Sequence, residues 1–397
     1  MPREKLRIMY ASNAPWCISG YGVQSRSLLP RLKQLPEVDE IAMFAWFGLQ
    51  GGMLSSNGMP IYPMGVDAYG NDMYGAHCEH FKADLLVTLI DAWVLRPDTW
   101  NLPEYTKWAP WYPVDHDPIP ERIVNVVKQA NYPLTYAKFG KAQSDAAGIA
   151  NTYIAHGLET NVYKVFDPEP VKAFRHDVCE DAEWLGVMVS ANKGWPSRKG
   201  FEETLLAFRQ VLPELPKRSY LYIHADHTKV TQGGDLAALV KAMGLQDHVR
   251  FPNRYKLWIG GYDPGYMALM YNNADVFLSP SKGEGFGIPI IEAQACGAPV
   301  VVTNFTSMPE LVRWGCAVEP QAPQFTYMDS FQAVPSVPAI AAAIMDLWQD
   351  RMAMTADELE DKRRWTSAAI HGEYSWDNLV AEQWQPFLRR VLDDINQ

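Results

Sequence analysis

The chain has 397 residues, more than one ordinary hydrophobic core serves, so two domains of about 200 residues each are expected. A composition of 48% hydrophobic and 20% charged residues suits folded domains and excludes extended disorder. The formal net charge of -11 argues against broad electrostatic binding to nucleic acid, which depends on phosphate neutralisation, while leaving room for a local basic groove.

The N-terminus, MPREKLRIMYASNAPW, joins charge to a short strand-like run and lacks a secretory apolar segment. No uncharged apolar run approaches membrane-spanning length, so a cytoplasmic protein without a transmembrane segment is expected. Cys17, Cys78, Cys179, Cys296 and Cys316 are far apart and include no CxxC pair, which favours free thiols over a disulfide framework or a zinc site.

In chain order, strand-like LRIMYAS (6–12) leads through the loop SNAPWCISGYG into the helical VQSRSLLPRLKQL. IAMFAWF (41–47), DLLVTLI (84–90), KWAPWYPV (107–114) and LTYAKF (134–139) read as further strands. A second series starts with WLGVMVSA (184–191), the helix FEETLLAFRQVL (201–212) and SYLYIHAD (219–226). It continues with HVRFPN (248–253), the helix YMALMYNNA, the strand in ADVFLSPS (274–281), a helix after Gly287, and APVVVTN (298–304). Apolar strands interleaved with amphipathic helices imply parallel sheets covered on both faces. The polar stretch at 166–184 separates the two series. The expected domains are therefore 1–170 and 171–374, both doubly wound and Rossmann-like, with a closing helix at 375–397 returning to the first. Ligands in such domains bind beyond the carboxyl ends of the strands, so facing domains would enclose one cleft.

The richest stretch for chemistry is KGEGFGIPIIEAQACGAPVV (282–301). A strand, a glycine turn and a helix start form an anion site in which the N–H groups of Gly285, Phe286 and Gly287 face a ligand, favoured by the helix dipole. Glu284 and Glu292 flank that site, and carboxylates accept hydroxyl donors. A phosphate with a sugar on each side is a nucleotide sugar. The plainer alternative is that Glu284 caps a turn and Glu292 is a solvated helix residue.

Lys193, Arg198 and Lys199 crowd the loop ANKGWPSRKGFEE (191–203), where fixed cations would stabilise a leaving diphosphate; a solvated basic loop is the alternative. In SNAPWCISGYGVQSR (12–26), Gly20 and Gly22 permit close backbone approach to a ligand, or only a turn. Asp115 and His116 in PVDHDPIP (113–120) suit holding an acceptor hydroxyl or moving its proton, with a structural loop as the alternative. His156-Gly157 reads as a turn, and Asn161 and Tyr163 as hinge packing. Trp16, Trp46, Trp93, Trp100, Trp108 and Trp111 would line an acceptor surface or pack on one another.

KGEGFGIPIIEAQACGAPVV resembles the glutamate–seven residues–glutamate signature of retaining glycosyltransferases, in particular family 4 with the GT-B fold. SRKGFEE resembles that family's phosphate loop, AHGLETNVYKV its hinge motif, and SGYGVQS its first-domain glycine loop, in the same order along residues 6–310. The opening YASNAPW…SGYGVQ also resembles glycosyltransferases of bacteriophage and environmental genomes. The resemblance implies Glu292 on the ribose hydroxyls, Glu284 on the transferred sugar, Gly285–Gly287 near sugar and phosphate, and Lys199 on the diphosphate. Lys193 stands where the family usually carries Arg, a point charge in place of a fork, with Arg198 as the compensating group. His116 matches a first-domain histidine loosely, and His156 replaces the hinge asparagine.

The implied reaction is retaining transfer of a hexosyl or pentosyl group from a nucleotide-diphosphate sugar to an acceptor hydroxyl. It needs no obligatory metal and no cofactor, since the nucleotide sugar is a substrate. The alternatives are a nucleotide-sugar epimerase or phosphorylase on the same fold, and a non-catalytic sugar-nucleotide binding module. Asp115 and Trp93 are the candidate acceptor contacts. The acceptor (glycan, small molecule, modified DNA or protein) and the oligomeric state stay open.

Overall fold

The computed structural model of the chain describes residues 3–229 and 232–397, so Met1 and Pro2 of the charged N-terminal stretch lie outside it. The chain divides into two compact units. The first comprises residues 1–157, 327–330 and 374–397; the second comprises 158–326 and 331–373.

The first unit is built on a sheet of β1 (Leu6–Asn13), β2 (Val38–Phe47), β3 (Leu54–Ser56), β4 (Met59–Pro63), β5 (Leu85–Leu89), β6 (Lys107–Tyr112), β7 (Leu134–Thr135) and β8 (Thr152–Tyr153). Its order is β3-β4-β2-β1-β5-β6-β7-β8, parallel except for the β3–β4 pair. That pair is a hairpin closed by Asn57 and Gly58, both at positive φ. The turn is the Asn-Gly signal for a two-residue hairpin, which the sequence reading passed over. β1 and β5 are buried along nearly their whole length, as parallel strands covered on both faces must be.

LTYAKF (134–139) was expected to be one strand, but only Leu134–Thr135 pairs, and a helix starts at Lys138. The neighbouring β8 is itself only two residues, so the ladder has nothing further to bond. The C-terminal segment is helical from Trp376 to Ile395 with a π-turn at Val380–Trp384. Pro386 follows this turn; its missing N–H leaves a helical carbonyl unbonded, a common setting for such a widening. Gln383 in the turn accepts the Ala155 N–H at 2.8 Å, and Arg389 reaches Glu37 at 2.5 Å, both within the first unit.

The second unit holds β9 (Trp184–Val189), β10 (Ser219–His224), β11 (Val249–Arg250), β12 (Val276–Ser279), β13 (Val300–Thr303) and β14 (Gly315–Val318). They form an all-parallel sheet ordered β11-β10-β9-β12-β13-β14. An antiparallel ribbon, β15 (Ala322–Phe325) with β16 (Phe331–Val334), follows, and its connecting residues 327–330 belong to the first unit. There Met328 is buried in a cluster with Tyr112, Ile119 and Ile123. The helix Phe201–Val211 buries Phe201, Leu205, Phe208 and Val211, a stripe at helical spacing laid on the sheet. HVRFPN (248–253) gives only a two-residue strand, because Pro252 has no N–H to pair and the Asn253 side chain caps the next helix through Lys256 N.

The second unit starts at Leu158, earlier than the polar stretch at 166–184 suggests. Residues 163–175 are bonded into that unit. Phe166 N donates to Asn272 Oδ1 at 3.0 Å, His371 Nε2 to the Tyr163 carbonyl at 2.7 Å, and Arg175 to Asp275 at 2.8 Å. The long helices Val337–Ala353 and Ala356–Tyr374, which the sequence analysis did not name, complete this region, apart from Tyr374 in the first unit.

Candidate functional site

In the second unit, successive strands step outward in one direction from β9 to β11 and in the other from β12 to β14. Such a reversal opens a crevice at the carboxyl ends of the two central strands. The loop after β9 carries Lys193, Arg198 and Lys199, and the loop after β12 carries Glu284–Gly287.

These loops are held together by backbone. Gly200 has φ of +71°, and a Cβ there would lie 2.1 Å from the Pro280 carbonyl oxygen, so only glycine lets the chains approach this closely. Lys282 N donates to the Arg198 carbonyl at 2.7 Å, and the Arg198 guanidinium donates to the Gly283 carbonyl. The result is a compact ion cluster. Lys199 Nζ lies 2.6 Å from Glu284 Oε1, and Arg198 Nη1 lies 3.2 Å from Glu284 Oε2. Burial alone would raise the Glu284 carboxyl, but the charges of Arg198 and Lys199 outweigh it and hold the group down at about 2. Glu284 is therefore a buried, ionised carboxylate at neutral pH.

Glu292 is the opposite case. Its helix, Ile288–Ala295, is apolar almost all round and buried from Ile290 to Ala295. Glu292 is 9% exposed, which rules out a solvated helix position. The Tyr271 hydroxyl donates to Glu292 Oε2 at 3.0 Å, and Tyr163 supplies a second hydroxyl. Burial pushes the carboxyl up to about 7 against the weaker pull of those hydroxyls. Tyr163, read from sequence as hinge packing, is thus a partner of Glu292.

Gly287 starts the helix at φ of +112°, and the N–H groups of Gly285 and Gly287 meet no acceptor among the described residues. Phe286 between them is buried. Lys193 departs from the expected cluster. Its side chain is exposed and makes no ion pair among the described residues. Its neighbour Asn192 ties the loop instead to the far side, donating to the carbonyls of Asp226 (2.9 Å) and Gly234 (2.7 Å).

In the first unit, His116 Nδ1 lies 2.7 Å from Asp115 Oδ1, beyond the carboxyl end of β6, with His116 buried. Trp93 follows the neighbouring β5 and is 37% exposed. Trp46, Trp100, Trp108 and Trp111 are buried core residues, so of the six tryptophans considered only Trp16 and Trp93 present substantial surface. Gly20 is exposed at the first position of the helix Gly20–Leu32. Gly22 is not available for close approach, since its N–H donates to the capping Ser19 hydroxyl at 3.1 Å and a Cβ would meet the Cys17 carbonyl at 2.4 Å. His156 lies against Trp111 and Tyr136, and burial pushes its ring down to about 3.

Tyr271 sits in a run that reads as core, and the segment Thr306–Ser307 follows β13 without any motif, so neither carries a signal in the sequence. No cluster of three or more His, Cys, Asp or Glu side chains among the described residues is placed to hold a metal ion. No helix among them is long and apolar enough to cross a membrane.

Residues 186–350 match the protein-family model described as Glycosyl transferases group 1. The O-antigen chain mannosyltransferase B of Escherichia coli is 34% identical over 124 residues, covering 31% of this chain and 27% of that protein. The matched stretch thus spans only about a quarter of that relative's length. Among solved structures, the sucrose-phosphate synthase of Thermosynechococcus elongatus superposes with a TM-score of 0.74 at 18% identity, covering 98% of this chain and 100% of that one. The Anabaena protein HepE, solved in complex with UDP-glucose, superposes with a TM-score of 0.69 at 13% identity, covering 98% and 100%. Over residues 186–350 the chain is similar to the group 1 glycosyl transferases, and over nearly its whole length it has the fold of the GT-B glycosyltransferases.

Proposed function

We propose that this protein is a retaining glycosyltransferase that moves a hexosyl or pentosyl group from a nucleotide-diphosphate sugar to an acceptor hydroxyl. The observation that carries the reading is the buried Glu284 carboxylate at 2.6 Å from Lys199 and 3.2 Å from Arg198, at the reversal point of a parallel sheet. Two cations beside a helix N-terminus suit a diphosphate, and the two flanking carboxylates suit hydroxyls on either side of it.

In this reading Lys199 and Arg198 receive the diphosphate and stabilise the charge that develops as its bond to the sugar breaks. Glu284, released from part of its ion pairing, accepts hydrogen bonds from the transferred sugar. Glu292 accepts the ribose hydroxyls. The acceptor hydroxyl attacks from the face that the leaving group departs, so the anomeric configuration is kept. The lysine and arginine take the part that a divalent cation plays elsewhere, and chelators are expected to leave the rate unchanged. His116, oriented by Asp115, is placed by this reading on the acceptor side, where it holds or deprotonates the attacking hydroxyl.

A thermal-shift panel of nucleotide sugars tests the proposal, because a ligand that binds only the folded state raises the melting temperature. At least one nucleotide sugar should do so for the wild type and not for Lys199→Ala. A panel without any shift overturns the reading, and a product of inverted anomeric configuration overturns retention.

A further inference from the structure

We infer that Ser307 is a positioning residue of the donor site, which aims two backbone N–H groups at the diphosphate by holding the carbonyls behind them. The inference rests on the donor reading above and adds a residue that no motif in the sequence marks.

The Ser307 hydroxyl is buried and lies 2.7 Å from the Glu284 carbonyl oxygen and 2.7 Å from the Phe286 carbonyl oxygen. It has one proton, which these two acceptors share. The peptide bonds 284–285 and 286–287 are trans, as among the described residues only Asp117-Pro118 and Trp195-Pro196 are cis. In a trans peptide the C=O and the following N–H point in opposite directions. Drawing the carbonyls of Glu284 and Phe286 inward to one hydroxyl therefore turns the N–H groups of Gly285 and Gly287 outward. Both N–H groups lack an acceptor among the described residues, and both belong to glycines, so no side chain covers them.

The adjoining residue reinforces the arrangement. Thr306 is β-branched yet sits at φ of +52°, a conformation that persists only when its surroundings enforce it. Its hydroxyl accepts the Glu284 N–H at 3.0 Å and donates to the Phe305 carbonyl at 2.8 Å. Residues 306–307 thus bind three backbone groups of the 284–286 turn from behind. The side chain of Glu284, on the same turn, holds Lys199 and Arg198. In this inference the two outward N–H groups and the two cations serve one anion, and Ser307 fixes the N–H half of its site.

The test is calorimetric titration of the full chain with UDP, GDP and ADP, each beside its uncharged nucleoside, for wild type, Ser307→Ala and Ser307→Thr. For whichever diphosphate the wild type binds, Ser307→Ala should weaken binding by about tenfold, the loss expected when charge-assisted hydrogen bonds lose alignment. Binding of the matched nucleoside should stay within about twofold, and Ser307→Thr, which keeps the hydroxyl, should recover most of the loss. Equal losses for diphosphate and nucleoside would mean a general structural role and overturn the inference, as would no loss at all. A wild type that binds none of the three diphosphates overturns the donor reading and this inference with it.

Discussion

The carboxyl ends of the two sheets are furnished in different ways. In the second unit they carry paired charge: a carboxylate at about 2 beside two cations, and a second carboxylate at about 7 among tyrosine hydroxyls. In the first unit they carry the Asp115–His116 pair, the Arg96–Asp67 ion pair and two partly exposed tryptophans, Trp16 and Trp93. The family match covers residues 186–350, all of which belong to the second unit except the four residues 327–330. A diphosphate sugar demands the same things of every protein that binds it, namely cations, outward N–H groups and hydroxyl acceptors. The acceptor, which the proposed function assigns to the first unit, makes no such fixed demand.

The contrast is broken most directly at the ion cluster. Lys199→Ala leaves a buried carboxylate with Arg198 as its remaining cation and removes a charge aimed at the leaving group. We expect kcat/KM for sugar transfer to fall by about 10²–10³-fold, and Glu284→Ala to act as severely. If Lys199→Ala instead kept near-normal transfer, the donor half would not lie at this cluster. Because the folded Glu284 carboxyl is held at about 2 against an ordinary 4.5, its contribution to stability is present above pH 4.5 and is lost as pH falls toward 2.

Glu292 titrates in the other sense. Folded, it keeps its proton up to about pH 7; unfolded, it releases it near 4.5. Its stabilising effect is fully present below pH 4.5 and is lost as pH rises through 7, a difference of roughly 3 kcal/mol at most. Glu292→Gln should therefore melt higher than wild type at pH 8 and lose that advantage at pH 5, while its affinity for the nucleotide falls about tenfold. A melting difference that does not vary with pH would show that Glu292 does not titrate in this window.

The same two regions explain what could be read from sequence. Glu284, Glu292, Arg198 and Lys199 were legible because a short spacing on a strand–turn–helix fixes where each falls. The alternation of apolar strands and amphipathic helices gave both sheets for the same reason. Tyr163, Tyr271 and Ser307 were not legible, since each reaches the site through a tertiary contact between residues far apart in the chain, such as Ser307 on Glu284. Short strands such as Leu134–Thr135 and Val249–Arg250 were overextended because apolar residues continue past the point where the ladder has a partner. The Trp-rich first unit misled in the other direction. Composition cannot separate Trp93, partly exposed beside a strand end, from Trp111, whose indole N–H donates to the Ile154 carbonyl inside the core.

His116 sharpens the comparison from the first unit. His116→Ala should lower kcat by about tenfold or more and leave nucleotide affinity within about twofold, as expected of a group that meets the acceptor alone. Asp115→Asn, which keeps the shape and weakens the hold on Nδ1, should give a smaller loss of the same kind. A loss of nucleotide affinity on His116→Ala would erase the division of labour between the two units.

The smallest effect is expected at Lys193, and its smallness is informative. The basic loop carries three cations within seven residues, and their spacing alone does not rank them. Geometry does. Arg198 and Lys199 are held on Glu284 by a loop pinned through Gly200 and Pro280, whereas the Lys193 side chain is exposed and makes no ion pair among the described residues. An exposed ammonium contributes little to a fixed anion site, because solvent and salt screen it and ordering its long side chain costs entropy. Lys193→Ala should change nucleotide affinity by less than about threefold, against about tenfold or more for Arg198→Ala under the same conditions. If the two losses were equal, the loop would have to rearrange on binding to bring Lys193 onto the phosphates. Repeating the titration in high salt separates these cases, since a screened surface charge loses its small effect there and a lysine drawn into the site keeps it.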